Sequence, residues 1–353
     1  MKTLNIIFFG DYFAEERVLK KSKTLSQYFK IKVIAITSKF ENKILKVNDN
    51  LIIENIYINP KLKILYKTIF NNYLLSKIVK KNPAEIYECH DPVTIFAGIC
   101  AKNKFNSKII YDSHELWVGV GSKQENIFKT IYSKILGKIM FLLEKKYIQN
   151  FDNVIVVNKS ICEIYAKLYN LKKIDYIYNY SNFDEFNGCT NKKESIVFIG
   201  KNRPFVEDKL TLAKKLKLSP VVMGFKGKYK DIEYMGLLTK EEYTRELRKQ
   251  KIGLNFYSAD SKSLYYSLPN KLFQYIQAEV PIISADLPEQ KFIKKEGFGE
   301  FFNGSDEDFL NKLELMLNKD NYSKYIKNLK TKKYKYSWEN QKNKLIKIYR
   351  SLC

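Results

Sequence analysis

The sequence contains two histidines, both within residues 86–117. His90 follows the apolar run Ile86–Cys89 and His114 follows Lys108–Tyr111. Both runs read as β-strands, and a segment of helical period from Thr94 to Lys102 joins them. Each histidine stands beside a carboxylate, Asp91 or Glu115. In an open parallel sheet, ligands bind in the crevice outside the strand carboxyl ends. Two imidazoles in equivalent places there predict proton or charge chemistry near neutral pH; the plainer alternative is that each only closes its strand in satisfied hydrogen bonds. A metal set of Cys89, His90 and His114 lacks a close second cysteine or an acidic cluster at zinc-like spacing, so no metal is expected.

A second group lies far along the chain, where Pro269 to Ala278 reads as a helix between a strand at Ile252–Tyr257 and another at Pro281–Ala285. Pro269 suits a helix start, where its missing N–H costs nothing. The amides of Asn270, Lys271 and Leu272 then form an anion-binding end, to which Lys271 adds a full charge. Asn270 and Gln274 are four apart and share a face, so a phosphate at the start leaves Gln274 to a neighbouring hydroxyl pair. Lys201 and Arg203, after the strand Ser195–Ile199, point to the same sheet edge. Three cations and a helix start predict a diphosphate site.

The elements that must position these groups fit within 353 residues, long for one core and comfortable for two. An apolar fraction of 45%, with 26 tyrosines and 23 phenylalanines, excludes disorder for most of the chain. The net charge of +24 draws anions, phosphates foremost. Nucleic acid is not the expected partner, because no zinc finger, RNA-recognition signature or glycine-rich KH loop is present and the lysines are scattered. An anionic membrane surface fits the charge better. Five cysteines without framework spacing point to the cytoplasm. No signal peptide or charge-free membrane span is legible, so the expectation is a cytoplasmic protein, soluble or peripheral on the inner membrane face.

Leu4–Phe9, a turn at Gly10, the helical segment Glu15–Phe29 and the strand Lys32–Thr37 open the chain as a βαβ unit. The Gly10 turn admits a phosphate or sugar to the backbone, although simple turn geometry explains it equally. A loop and a short strand at Ile52–Ile58 precede a helix over Pro60–Lys81, with Leu65 and Ile69 among its apolar positions. A long helix follows over Ile127–Ile148. Covering the sheet is the main expectation for both helices, and a basic membrane-facing side the lesser one. The strand Asn153–Val157 ends this half. Residues 1–178 form the expected first domain, 179–194 a polar linker, and 195–336 a second domain where βα alternation restarts. The architecture is α/β, two doubly wound domains with a cleft between them. Asp306-Glu307-Asp308 spells an acidic metal motif but opens a helix, where it reads as a cap.

Several stretches, in order along the chain, carry a family resemblance: ERVLKKSKTL at Glu15–Leu25, HDP at His90, YDSHE at Tyr111, VIVVNKSI at Val154, LPNKLFQYIQAEVPII at Leu268 and YSWENQ at Tyr336. The sequence resembles GT-B glycosyltransferases of the glycosyltransferase family 4 type, nucleotide-sugar-dependent enzymes of bacterial surface-polysaccharide synthesis such as capsule and lipopolysaccharide. The resemblance implies two Rossmann-like domains facing across a cleft. The second would hold the donor nucleotide, with Lys201, Arg203, Asn270 and Lys271 on the diphosphate and Gln274 on the ribose. The first would hold a lipid-linked or growing glycan acceptor. By the same resemblance, His114 would sit beside the sugar and leaving phosphate and Asp91 at the acceptor side, with Gly10, His90 and Glu115 as acceptor-side neighbours. It also implies metal-independent transfer with retention, no cofactor beyond the nucleotide-sugar co-substrate, and a last helix, 337–353, packed on the first domain.

Two positions depart from the family pattern. Its paired glutamates, eight apart, are replaced here by Tyr266 and Gln274. Gln274 can still hydrogen-bond a diol but carries no charge. Two rival functions stand beside transfer: a nucleotide-sugar epimerase on the same fold, and a two-domain sugar-binding protein without catalysis.

Overall fold

A computed structural model describes the chain except residues 40, 63–70, 120–126, 187–190, 201–203, 257–258, 260 and 353, and the side chains of 127, 129, 184, 185 and 204. It divides into two compact units. The first comprises Met1–Tyr178, Asp260–Ser267 and Lys342–Cys353, and the second Asn179–Ala259 and Leu268–Gln341.

The first unit is built on a sheet ordered β3-β4-β2-β1-β5-β6-β7-β8. Its strands are β1 (Thr3–Phe9), β2 (Lys30–Thr37), β3 (Lys43–Asn48), β4 (Leu51–Tyr57), β5 (Ile86–His90), β6 (Lys108–Ser113), β7 (Asn153–Val156) and β8 (Ile174–Tyr176). All pair in parallel except β3, which runs antiparallel to β4. The central strands are buried and largely apolar, as burial on both faces requires, with Glu88 and Asp112 as charged exceptions. The polar pattern of 43–48 reads as a loop in sequence. Its lysine-rich, largely exposed side chains belong to an edge strand, where charge keeps the open edge from pairing further.

The helices of this unit are α1 (Glu16–Leu25), α2 (Asn71–Lys81), α3 (Ile95–Phe105), α4 (Ile127–Tyr147) and α5 (Lys159–Tyr169). Helix α1 stops short of the expected Phe29, because Tyr28 and Phe29 both donate to the Leu25 carbonyl and tighten the turn. Of the helix expected over Pro60–Lys81, Pro60–Leu62 is a 3₁₀ turn and Asn71–Lys81 is α-helical. Leu65 and Ile69 lie outside the described residues.

Arg17 and Lys21 sit one turn apart on α1, and both face inward. The Arg17 guanidinium grips Asp112 of β6 through Nε (3.1 Å) and Nη2 (2.9 Å), and its Nη1 donates to Ile177 O at 2.7 Å. Lys21 Nζ lies between Glu88 of β5 and Asp112, bonded to both carboxylates. The Tyr349 hydroxyl, from near the end of the chain, donates to the other Glu88 oxygen. All four charged side chains are essentially without solvent. Two positive and two negative groups therefore balance in the interior.

The second unit holds a wholly parallel sheet ordered β11-β10-β9-β12-β13-β14. Its strands are β9 (Ser195–Ile199), β10 (Ser219–Met223), β11 (Glu233–Tyr234), β12 (Ile252–Asn255), β13 (Ile282–Ala285) and β14 (Gly299–Phe302). Among its helices are α6 (Pro204–Leu212) and α7 (Lys240–Lys249), the latter opened by a Thr239–Glu242 capping box. A short α8 (Lys262–Tyr265), which belongs to the first unit, precedes α9 (Asn270–Gln277). The helix Asp306–Leu317 starts on a Ser305 cap whose hydroxyl accepts from the Asp308 amide, so the acidic triplet is a helix start.

The polar stretch expected as a linker is counted with the second unit from Asn179 onward. Trp338 is buried in that unit as well, its amide bonded to Ser181 O at 2.9 Å. The return to the first unit begins at Lys342, so the expected start of the returning segment at 337 moves inward by the length of this anchor.

Removing one member of a balanced buried cluster leaves a charge unpaired. Lys21→Met is therefore expected to lower stability in chemical denaturation by about 3–5 kcal/mol. Lys23→Met, at an exposed position of the same helix, is expected to change it by less than about 0.5 kcal/mol.

Candidate functional site

Side chains two apart on a strand share a face. Glu88 and His90 of β5 are such a pair, and Asp112 and His114 repeat the spacing on and just beyond β6. The carboxylate that meets His90 is therefore Glu88, two residues before it, and not the adjacent Asp91. Its Oε1 lies 2.8 Å from His90 Nε2. On the other side of the ring, His90 Nδ1 and His114 Nε2 share a hydrogen bond of 2.7 Å, with the rings edge to face. The Nε2 contact with Glu88 is one of charge and distance, outside hydrogen-bond geometry, and a proton on that nitrogen leaves Nδ1 to accept from His114 Nε2. The lone pair of His114 then resides on Nδ1, which looks toward Asp91 Oδ2 at 3.7 Å and Glu15 Oε1 at 4.0 Å.

The turn carrying Asp91 is under backbone strain. Its φ of 60° and ψ of 164° belong to a region that side chains other than glycine rarely enter. The following Pro92 restricts the same residue further. The conformation turns the carboxylate toward the second histidine, where Oδ1 accepts from the His114 amide (2.9 Å) and Trp117 Nε1 (3.3 Å). Thr94 locks the turn, its hydroxyl bonding to His90 O at 2.6 Å.

Charges set the state of these groups. Burial opposes ionisation of Glu88, but Lys21 and His90 outweigh it and hold its carboxyl down to about 2. Burial likewise opposes Asp112, and Arg17 with Lys21 keeps it well below the ordinary range. Burial presses His114 below its usual 6.5, against the pull of Asp91. His114 is thus a neutral base near pH 7, backed through His90 by a fixed carboxylate. It is also the one member of the Glu88–His90–His114 chain with appreciable exposure, 20% of its side chain against 2% or less.

The other expected residues of this edge fall differently. His90 is buried, so it acts through His114 and not as a contact of its own. Glu115 is exposed, and its backbone carbonyl is the part engaged, accepting from Ser113 Oγ and Tyr165 OH at 3.0 Å each. At Gly10 the Phe8 ring lies 3.0 Å from where a Cβ would stand. His90, Asp112 and His114 bring three donor atoms within 4.8 Å. In that set the facing ring nitrogens bond each other, and the Asp112 oxygens bond Arg17 and Lys21.

Behind the His114 turn lies a shell that sequence patterning missed. Glu144 of α4 is fully buried and accepts hydrogen bonds from Tyr111 (2.6 Å), Tyr165 (2.8 Å) and Tyr169 (2.6 Å). Burial lifts its carboxyl to about 7, against those hydroxyls, which pull it down. The tyrosines stand on β6 and α5, and only their aromatic excess was visible beforehand.

In the second unit the expected diphosphate residues are partly assembled. Pro269 is the residue before α9 and Lys271 lies in its first turn. Lys271 Nζ rests 3.7 Å above the Phe198 ring at the end of β9, a cation–π contact. The same Nζ lies 3.8 Å from where a Cβ on Gly200 would be, and Gly200 has a φ of 131° that glycine alone adopts readily. The free-amide set is smaller than expected, since the Leu272 N–H donates to Pro269 O. Asn270 is exposed, and Gln274 is half-buried with its Oε1 accepting from Tyr243 OH at 2.8 Å. Lys201 and Arg203 lie outside the described residues. Tyr266, where the family pattern has its first glutamate, belongs to the first unit. It packs there against the core cluster that includes Ile161 and Tyr165, with its carbonyl bonded to Asn158 Nδ2 at 2.8 Å.

Residues 17–184 match the model of Glycosyltransferase Family 4. No curated protein matches the sequence. Solved structures do match along nearly the whole chain. Sucrose-phosphate synthase from Thermosynechococcus elongatus gives a TM-score of 0.76 at 12% identity, covering 100% of this chain and 99% of that one. The trehalose-6-phosphate structure from E. coli bound with UDP-2-fluoro glucose gives 0.69 at 10% identity, covering 99% and 98%. A Listeria monocytogenes protein described as UDP-N-acetylglucosamine 2-epimerase gives 0.59 at 12% identity, covering 99% and 96%. The chain has the GT-B fold.

Glu144 yields a signed prediction. An acid whose folded pKa is about 7 against an ordinary 4.5 favours the folded state fully below about pH 4.5, and that contribution is lost as pH rises through about 7. Glu144→Gln removes the dependence. Melting curves from pH 4.5 to pH 8 are expected to shift in the variant's favour as pH rises, by on the order of 3 kcal/mol over the full span.

Proposed function

We propose that the protein is a glycosyltransferase that moves a sugar from a nucleoside-diphosphate donor to a lipid-linked or growing surface glycan. The observation that carries this reading is the Glu88–His90–His114 chain at the carboxyl edge of the first sheet, within the segment that matches Glycosyltransferase Family 4. The GT-B fold supports it, and so does the Lys271 ammonium beside the open backbone of Gly200.

In this reading the second unit holds the donor diphosphate with Lys271, Asn270, Lys201 and Arg203, and Gln274 meets the ribose. Cations and helix amides offset the charge that develops on the leaving diphosphate in place of a metal, and retention of the anomeric configuration is what the family resemblance implies. His114 contacts the reacting sugar, and the Glu88 charge relayed through His90 stabilises positive charge on its ring. Asp91 orients the acceptor side. The protein works in the cytoplasm, at the inner membrane face. Among the described residues no helix is long and apolar enough to cross a membrane.

A nucleotide-sugar epimerase is the second reading, favoured by the Listeria structural match. It would consume donor with no acceptor present.

Two measurements test the leading reading. In a thermal-shift panel of UDP, GDP, ADP and CMP, one nucleotide is expected to stabilise the protein with or without EDTA. At about 100 times its dissociation constant it adds roughly 2.7 kcal/mol. Stabilisation by none would remove the donor site. His114→Ala and Lys271→Ala are each expected to lower turnover at least about tenfold, roughly 1.4 kcal/mol, with the far-UV circular dichroism unchanged. Wild-type rates in both would overturn the site assignment.

A further inference from the structure

Helix α4 turns outward the side chains that a covering helix normally buries. Ile131, Tyr132, Ile135, Ile139 and Leu142 are 50%, 47%, 55%, 40% and 52% exposed. At about 100° per residue they form one stripe, roughly a third of the helix circumference. The opposite face is fixed in the interior by Met140 and Glu144, which are 2% and 0% exposed. The helix cannot roll to cover its apolar stripe without pulling the Glu144 carboxylate from Tyr111, Tyr165 and Tyr169. Its charges are one-sided too. Lys134, Lys138, Lys145 and Lys146 are all exposed, while the sole acid of the segment, Glu144, is buried.

We propose that this face of α4 docks the protein on an anionic lipid bilayer, with the isoleucines and Leu142 at the acyl boundary and the flanking lysines among the headgroups. An apolar stripe with lysines along one edge and no exposed carboxylate on the helix is the pattern of a helix that lies in the interface plane. A second copy of the chain is the poorer occupant, since pairing two such faces brings their lysine borders together. The surface rests on the proposed function only for its purpose, delivery to a lipid-linked acceptor.

Flotation of the full chain reads binding without turnover. Vesicles of phosphatidylcholine alone are compared with vesicles carrying about 30 mol % phosphatidylglycerol, at low and high salt. The wild type is expected to float with the anionic vesicles at least about tenfold more than with the neutral ones. Ile135→Ser/Leu142→Ser is expected to lose at least about tenfold of that binding, with an unchanged melting temperature. Ile139→Ser alone, a smaller change, is expected to fall between. No flotation of the wild type would overturn the proposal. So would equal flotation of the double variant, or a dimer in solution abolished by it with no lipid binding. Failure of the nucleotide panel alongside successful flotation would remove the transferase reading and leave this surface standing.

Discussion

Four ionised side chains share a dry space beneath the carboxyl edge of the first sheet, and each is tolerable there only because of the others. Arg17 and Lys21 supply the positive charge, and Glu88 and Asp112 the negative. Such clusters add little net stability compared with an apolar core of the same volume. What they supply is a fixed state. Glu88 stays ionised, and it lies against His90, which in turn holds His114. The chemistry offered at the surface is therefore set in the interior, on two strands and the first helix.

The turns that complete the site depend on this base in different ways. Asp91 occupies a strained conformation held by Thr94 and its own bonds to the His114 amide and Trp117. Strain of that kind costs on the order of 1–3 kcal/mol and persists where the surroundings over-determine it. The His114 turn is backed by Glu144 and its tyrosines, a second buried carboxylate with the opposite tuning. Glu88 is kept charged by cations, whereas Glu144 has tyrosine hydroxyls beside it and keeps a proton to about pH 7. Two buried acids in one unit thus differ in state because one faces ammonium and guanidinium groups and the other phenols.

Much of this was legible in advance. The βα alternation, the parallel sheets and the position of both histidines at strand ends all follow from apolar runs and turn residues. The edge strand β3 was illegible, because its polar pattern is that of a loop until a partner strand is known. The carboxylates adjacent in sequence do not meet His90; strand periodicity points to Glu88, two residues earlier in ECH, and the structure places it there. His114 does face Asp91, its nearest ring contact among the acids being at 3.7 Å. Arg17 and Lys21 looked like part of a general lysine excess, and only the sheet beneath them distinguishes them from solvated cations. Lys271 was legible from a proline-led helix start, but its seat over Phe198 joins residues far apart in sequence. The outward apolar stripe of α4 has the periodicity of a buried face, which is why pattern alone assigned it to the core.

The bond from Tyr349 to Glu88 links a residue translated after the second unit to the charged centre of a unit whose strands are translated before it. Chains emerge from the ribosome amino end first. While the later residues are still being added, the early strands can pair, but one oxygen of Glu88 lacks its phenol and Phe29 lacks the ring of Tyr349 that packs edge-on against it. The interior of the first unit is therefore finished late, after the second unit has been translated. The ionic core that fixes His114 thus also ties maturation of the first unit to the arrival of its distant carboxyl-terminal segment.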